Sequence, residues 1–246
     1  MIPRLEEHAD DRSFTSPPIK ARCVDSEALF HVPREVLRRI SPKVSGQVSS
    51  AIQEGVQTIL LSATFQGFEI LLNWLYMGSI VLKVRGITMI DDTVRLCEAY
   101  ATGLELQAPQ QFMDAVVDTV VEHIDDVDRS DSAGDDRGAR PTMVGGGWDA
   151  VGTLPVLLKT FAPGSPMWEF LVDVVAWGDV QAESMDLQDR KAVMECLRAN
   201  SAFGAAVGAV LLAQKLGVAK EPVWKKEPCA FHAHGVEGSG CYLQRN

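Results

Sequence analysis

Phe65-Gln66-Gly67-Phe68-Glu69-Ile70-Leu71-Leu72-Asn73-Trp74-Leu75-Tyr76-Met77-Gly78-Ser79-Ile80 is the stretch on which the fold turns. Phe65, Phe68, Leu72 and Leu75 recur at three- and four-residue steps, which places them on one face of a helix. Ile70, Leu71 and Trp74 widen that face beyond a surface stripe, so the helix is expected to be largely core, Trp74 and Tyr76 included. Ser62 and Thr64 are both candidate N-caps. Gly78 is placed to end the helix, because glycine takes the left-handed conformation without a Cβ clash. The apolar run Val56-Gln57-Thr58-Ile59-Leu60-Leu61 just before it reads as a strand, and Ile80-Val81-Leu82 just after it as another.

Working outward, residues 1–18 are charged and close on Ser16-Pro17-Pro18, which predicts a flexible leader. Ile19 to Val24, a turn at Asp25-Ser26-Glu27 and Ala28 to Val32 predict a hairpin. Pro33 suits the first position of a helix through Val36, Leu37 and Ile40. Ser41-Pro42 breaks that helix, and Ser45 to Glu54 is expected to form a second, with Val44, Val48 and Ile52 on one side. Asp91-Asp92-Thr93 caps a helix through Tyr100. Gln110 to Ile124 carries the cleanest stripe: Phe112, Val116, Val120 and Ile124, flanked by Met113, Val117 and Val121.

Residues 125–147 change character. Six aspartates mix with arginines, serines and glycines and end in Gly145-Gly146-Gly147, which predicts an acidic, glycine-rich linker. Its aspartates have neither the ligand spacing nor the closing glutamate of a calcium loop. Helical periodicity returns over residues 148–220, through Val151, Leu154, Leu158 and Phe161, then Trp168, Leu171, Val172 and Val175, then Val193 and Leu197, then Phe203, Val207, Val210 and Leu211. Residues 221–246 form a tail containing cysteine and histidine. The expected fold class is α/β in the α+β sense and rich in helix, with a small sheet flanked by helices over 19–124 and a C-terminal helical extension.

The ordered segments of 19–124 resemble the BTB (POZ) family. The opening stretch is similar to the family helix F-x-x-(F/L)-L-x-(W/F)-(L/I)-Y-(T/S)-G. Phe30-His31-Val32-Pro33-Arg34-Glu35-Val36-Leu37 resembles F-x-V-H-(K/R)-x-x-L, and Ser41-Pro42-Lys43-Val44 resembles S-P-(Y/F)-F. Val94 to Leu106 resembles L-Y-x-L-A-(D/E)-K-(Y/L)-x-(I/L). Pro33 stands where the family usually has His, and Val44 where it usually has an aromatic residue. Further on, Gly164-Ser165-Pro166-Met167-Trp168 with Val172-Asp173 is similar to the G-S-P-L-R-x-x-x-V-D segment of filamentous-fungal BTB proteins, with Trp168 at the usual Arg.

Composition narrows the function classes. The chain has 246 residues, 46% of them hydrophobic, and a net charge of −10, so it has a core to bury and no basic stripe for nucleic acid. The longest nearly apolar run, Ala202 to Ala213, is well short of the roughly 20 residues that span a bilayer. The N-terminal residues have no apolar signal core, and five scattered cysteines fit reduced thiols, so a cytoplasmic or nuclear location is expected. No G-x-S-x-G, G-x-x-x-x-G-K, H-E-x-x-H or strand-linked G-x-G-x-x-G occurs, and neither an enzyme nor a small-molecule substrate is expected.

The resemblance implies protein–protein interaction. In BTB adaptors of cullin ubiquitin ligases, a hydrophobic-x-Glu motif contacts the cullin. Ile52-Gln53-Glu54 stands at that place, with Val44 and Val48 near the same surface; the other reading puts Ile52 in the core and Glu54 in solvent. A BTB homo- or heterodimer is the family's common assembly, while the charged leader here has no obvious strand and fits a monomer. An oligomerisation or transcription-regulatory scaffold without a ligase is the second function the resemblance allows. In the tail, Cys229, His232, His234 and Cys241 offer two thiols and two imidazoles, a tetrahedral set for structural zinc. Many fungal BTB proteins look similar there, although C-x2-H-x-H-x6-C is not a standard finger spacing. The alternative is a tail of reduced thiols.

Overall fold

A computed structural model describes residues 17–82, 89–132, 150–177, 187–219, 222–223 and 231. The fold is α+β: helices predominate around a three-stranded mixed sheet. Two compact units divide the chain. Among the described residues, the first holds 17–82 with Arg95–Val116, and the second holds 89–94 with those from Val117 to Phe231.

The sheet of the first unit has the order β2-β1-β3. Strand β1 (Ile19–Cys23) pairs antiparallel with β2 (Leu29–Val32), Ala21 opposite Phe30. It pairs parallel with β3 (Thr58–Leu61), Ala21 opposite Ile59. Ile19, Ala21 and Cys23 alternate inward and are buried. A parallel partner needs a crossover, which α1 (Arg34–Ile40) and α2 (Pro42–Gln53) supply. Pro33 is the N-cap of α1 rather than its first helical residue. Ser41 both closes α1 and opens α2: its extended backbone breaks the first helix, and its Oγ accepts from Val44 N–H at 3.1 Å. With Pro42 at the first helical position, α2 begins earlier than Ser45.

Helix α3 (Phe65–Met77) is the opening stretch of the sequence. Thr64 rather than Ser62 caps it, accepting from Gly67 N–H at 3.1 Å. Gly78 ends it with φ 69°, its N–H donated to Trp74 O. Phe68, Ile70, Leu71, Leu72 and Trp74 are buried. Tyr76 is not core; it lies 45% exposed in the last turn. Phe30 of β2 stacks on Phe65 at 4.7 Å and meets Phe68 edge-on at 5.1 Å. Trp74 meets Phe112 edge-on at 5.4 Å. Ile80–Leu82 forms no strand, and Val81 is exposed. An apolar run becomes a strand only beside a ladder to join, and no described strand pairs with it.

Helix α4 (Met89–Leu106) starts before the expected Asp91 cap and runs past Tyr100. Helix α5 (Gln110–Ser132) carries its buried stripe through Phe112, Met113, Val116, Val117 and Val120. It also continues over Asp125–Ser132, where the acidic linker was expected to begin. No glycine or proline interrupts the helix before Gly134. The remainder of that linker lies outside the described residues.

The second unit is built on α7 (Pro166–Trp177), in which Met167, Trp168 and every residue from Phe170 to Ala176 are buried. A helix buried on nearly every face, with only Glu169 of its middle residues exposed, belongs inside a helical layer. It packs with α9 (Ser201–Lys215), Trp168 meeting Phe203 edge-on at 5.7 Å. Helix α8 (Leu187–Ala199) packs with α9 and with α6 (Ala150–Thr160). The cap residues are legible: Ser165 Oγ accepts from Trp168 N–H, and Asn200 Oδ1 from Phe203 N–H. Among the described residues no single helix is long and apolar enough to cross a membrane.

Gly67 fixes how closely α3 and α4 approach. A Cβ there would stand 2.3 Å from Thr102 Oγ1 and 2.6 Å from the backbone oxygen of Glu98. One of those atoms is backbone and cannot swing aside. Gly67→Ala is therefore expected to destabilise the first unit by about 1–3 kcal/mol, the usual range for overpacking, seen as a lower urea midpoint. A midpoint equal to wild type would mean that the helices separate freely.

Candidate functional site

The segment from the end of α2 into β3 carries the expected partner-binding residues. Val48 is 0% exposed and belongs to the core, one helical turn beneath Ile52. Ile52 is half-buried and Glu54 exposed, so this pair, without Val48, forms the accessible part of the expected surface. The chain reverses at Gly55, whose φ of 71° suits glycine. Val56 N–H then donates to Ala51 O at 2.8 Å, which ties the turn back onto the helix.

Two further apolar residues on this run face solvent: Val56 at 45% and Leu60 at 53% exposure. Sequence reading missed both. The signal for Leu60 was available, since Ile59 and Leu61 flank it on a strand and alternation sends the middle residue to the opposite face. Half-buried Ile52, exposed Val56 and Leu60, and the carboxylate of Glu54 make this run suited to contacting protein, with apolar area for affinity and one charge for orientation.

The tail residues Cys229, His232, His234 and Cys241 lie outside the described residues. Their neighbour Phe231 is described. It is buried and meets Phe170 of α7 edge-on at 5.4 Å. One turn along α7, the buried carboxylate of Asp173 accepts from Val223 N–H at 3.3 Å. Burial pushes the Asp173 carboxyl above its ordinary value, partly offset by that hydrogen bond, with Glu169 adding to the rise. Val223 and Phe231, two described residues of this region, thus both contact α7.

A polar joint that sequence reading did not anticipate sits at the start of α3. Phe65 N–H donates to both oxygens of Asp25, at 2.9 and 3.1 Å. Thr64 N–H reaches Thr102 Oγ1, and Thr64 Oγ1 reaches Glu98 Oε2 at 3.5 Å. Arg95 pairs with Glu69 at 3.5 Å. Acids belong at this positive helix end, yet burial first, and the charge of Asp25 second, raise the Glu98 carboxyl; Thr64 and Arg95 partly offset this. The cysteines described are free thiols: Cys23 and Cys97 are both pushed up to about 12, chiefly by burial, and Cys196 is also raised. Such groups stay protonated at neutral pH and are poor nucleophiles.

Compared with known protein families, with curated proteins and with solved structures, the chain matches none.

The Glu98 shift has a testable sign. A carboxyl raised by folding binds more protons folded than unfolded, so its contribution is fullest below the unfolded value near 4.5 and is lost as pH rises through the folded value. Glu98→Gln removes that loss while leaving an oxygen to accept from Thr64. Its melting temperature is expected to match or exceed that of wild type at pH 7, with a shallower decline from pH 4.5 upward. A thermal-melt series in which the two proteins run parallel would contradict the assignment.

Proposed function

We propose that the chain is a non-enzymatic protein-interaction module of the BTB type that works as a substrate adaptor for a cullin ubiquitin ligase. The observation that carries this reading is the accessible Ile52–Glu54 pair at the end of α2, presented by the Gly55 turn. The order of hairpin, two helices, parallel third strand and capped apolar helix supports the BTB part. Ile52 supplies the apolar contact, Glu54 the charge, and Val48 holds the helix to the core beneath them. Buried free thiols fit a reducing compartment, the cytoplasm or nucleus. The expected outcome is that purified wild-type chain retains a cullin in pull-down and that Ile52→Ala/Glu54→Ala cuts retention at least about tenfold, as loss of a central contact does. No retention by the wild type would overturn the adaptor reading.

The anchoring of Phe231 on Phe170 favours a second reading, a scaffold without a ligase whose tail is organised by structural zinc. Cys229, His232, His234 and Cys241 would be the ligands, and zinc would contribute a fixed fold to the tail rather than chemistry. Elemental analysis of purified protein is expected to find about one zinc per chain, reduced in Cys229→Ala/His234→Ala. Metal-free wild type ends this reading.

A further inference from the structure

Arg38, Arg39, Ile40, Ser41, Pro42, Ser45, Gln107 and Pro109 line a shallow, open cleft of about 550 Å³ in the first unit. Its chemistry runs against that of the chain. The protein carries 33 acidic and 23 basic residues, yet none of the residues lining the cleft is acidic. The lining run from Arg38 to Pro42 carries two arginines and no acid. Arg38 and Arg39 are exposed, and among the described residues neither makes an ion pair or side-chain hydrogen bond. Both stand in the last turn of α1, where their charge suits the helix end. That role engages the charge and leaves their guanidinium donors free.

The cleft also holds a costly residue. Gln107 is the one non-glycine with positive φ, 55°, among the described residues. Glycine would take that conformation at no steric cost, whereas a residue with a Cβ is strained there. Gln107 closes α4, its N–H donated to Leu104 O while Ala108 N–H donates to Gly103 O, and it lines the cleft with an amide where glycine would offer none. Two free guanidinium groups, a hydroxyl and an amide share the lining with Ile40, Pro42 and Pro109, a donor-rich site with apolar footing.

We propose that this cleft binds a phosphorylated peptide segment of a partner protein. This rests on the interaction-module reading but not on the cullin contact. Arg38 and Arg39 hold the phosphate through charge-assisted, forked hydrogen bonds. Ser45 and Gln107 hydrogen-bond the phosphate or adjoining peptide, and the prolines and Ile40 take the neighbouring side chains. A single phosphate suits two arginines, whereas a polyanion such as nucleic acid meets a chain of net charge −10 and no basic stripe beyond the cleft.

The test uses the full chain and an immobilised pool of peptides with one fixed phosphoserine and randomised flanks, against its unphosphorylated twin. The phosphorylated pool is expected to capture wild type at least about tenfold better, as hydrogen bonds to a charged group imply, and less well as salt rises. Arg38→Ala/Arg39→Ala, a surface change, is expected to bring capture down to the level of the twin, with an unchanged circular-dichroism spectrum and only the small drop in melting temperature that loss of two helix-end charges brings. Gln107→Gly is expected to lower capture about threefold, the worth of a neutral hydrogen bond, while the melting temperature holds or rises. Equal capture by both pools, or full capture of the arginine variant, overturns the proposal. Stronger arginine-dependent capture by a single-stranded oligonucleotide than by phosphopeptide also overturns it. The Ile52→Ala/Glu54→Ala variant is expected to keep phosphopeptide capture, which separates this site from the cullin reading.

Discussion

The first unit depends on the way the N-terminus of α3 is held. A helix start presents backbone N–H groups with no partner inside the helix. Here they are taken up from two directions: Thr64 caps Gly67 locally, and Asp25 reaches from the hairpin to Phe65. Thr102 binds the backbone of the cap residue itself, and Glu98 binds its side chain. Three segments far apart in the chain, the β1–β2 turn, the α3 cap and α4, therefore meet at one point. Gly67 permits the meeting because it has no side chain to hold α4 off. The aromatic contacts of Phe30 with Phe65 and Phe68 then seat the sheet against the helix.

Burial is also the largest influence on three ionisable groups nearby, Cys23, Cys97 and Glu98. Cys23 and Cys97 belong to the core, and their thiols are held protonated. Glu98 sits between a helix end that favours its charge and surroundings that disfavour it, and burial is the larger effect. The polarity of the joint goes into holding α3 in place, which leaves the solvent-facing α2–β3 run and the α1–α2 corner as the surfaces with chemistry to spare.

Much of this was legible from local pattern. The α3 helix was readable from its three- and four-residue spacing and its Gly78 stop, because those signals act within one turn of the chain, whereas the choice of Thr64 over Ser62 as cap came only with the structure. The α5 stripe was readable for the same reason. Ile80–Leu82 misled because a strand depends on a neighbour that its own residues do not specify. The length of α5 was underestimated because a run of aspartates reads as linker, yet nothing in it forbids helix. The Asp25–Phe65 and Thr64–Glu98 contacts were not legible, since each joins residues more than thirty positions apart. Of the candidate partner residues, Glu54 lies in solvent and Ile52 is half-buried, whereas Val48 is core; one-face spacing cannot tell the depth of successive turns.

The parallel pairing of β1 with β3 has a consequence for how the chain reaches this structure. Residues near 20 find their partners only near 60, so the sheet closes a long loop before its own bonds repay the entropy. Helices α1 and α2 form from neighbours in sequence and shorten that loop, with Ser41 as the corner between them. Sequence separation thus favours the crossover helices forming ahead of the β1–β3 pairing. During synthesis the hairpin emerges with one edge unpaired until residue 61 follows.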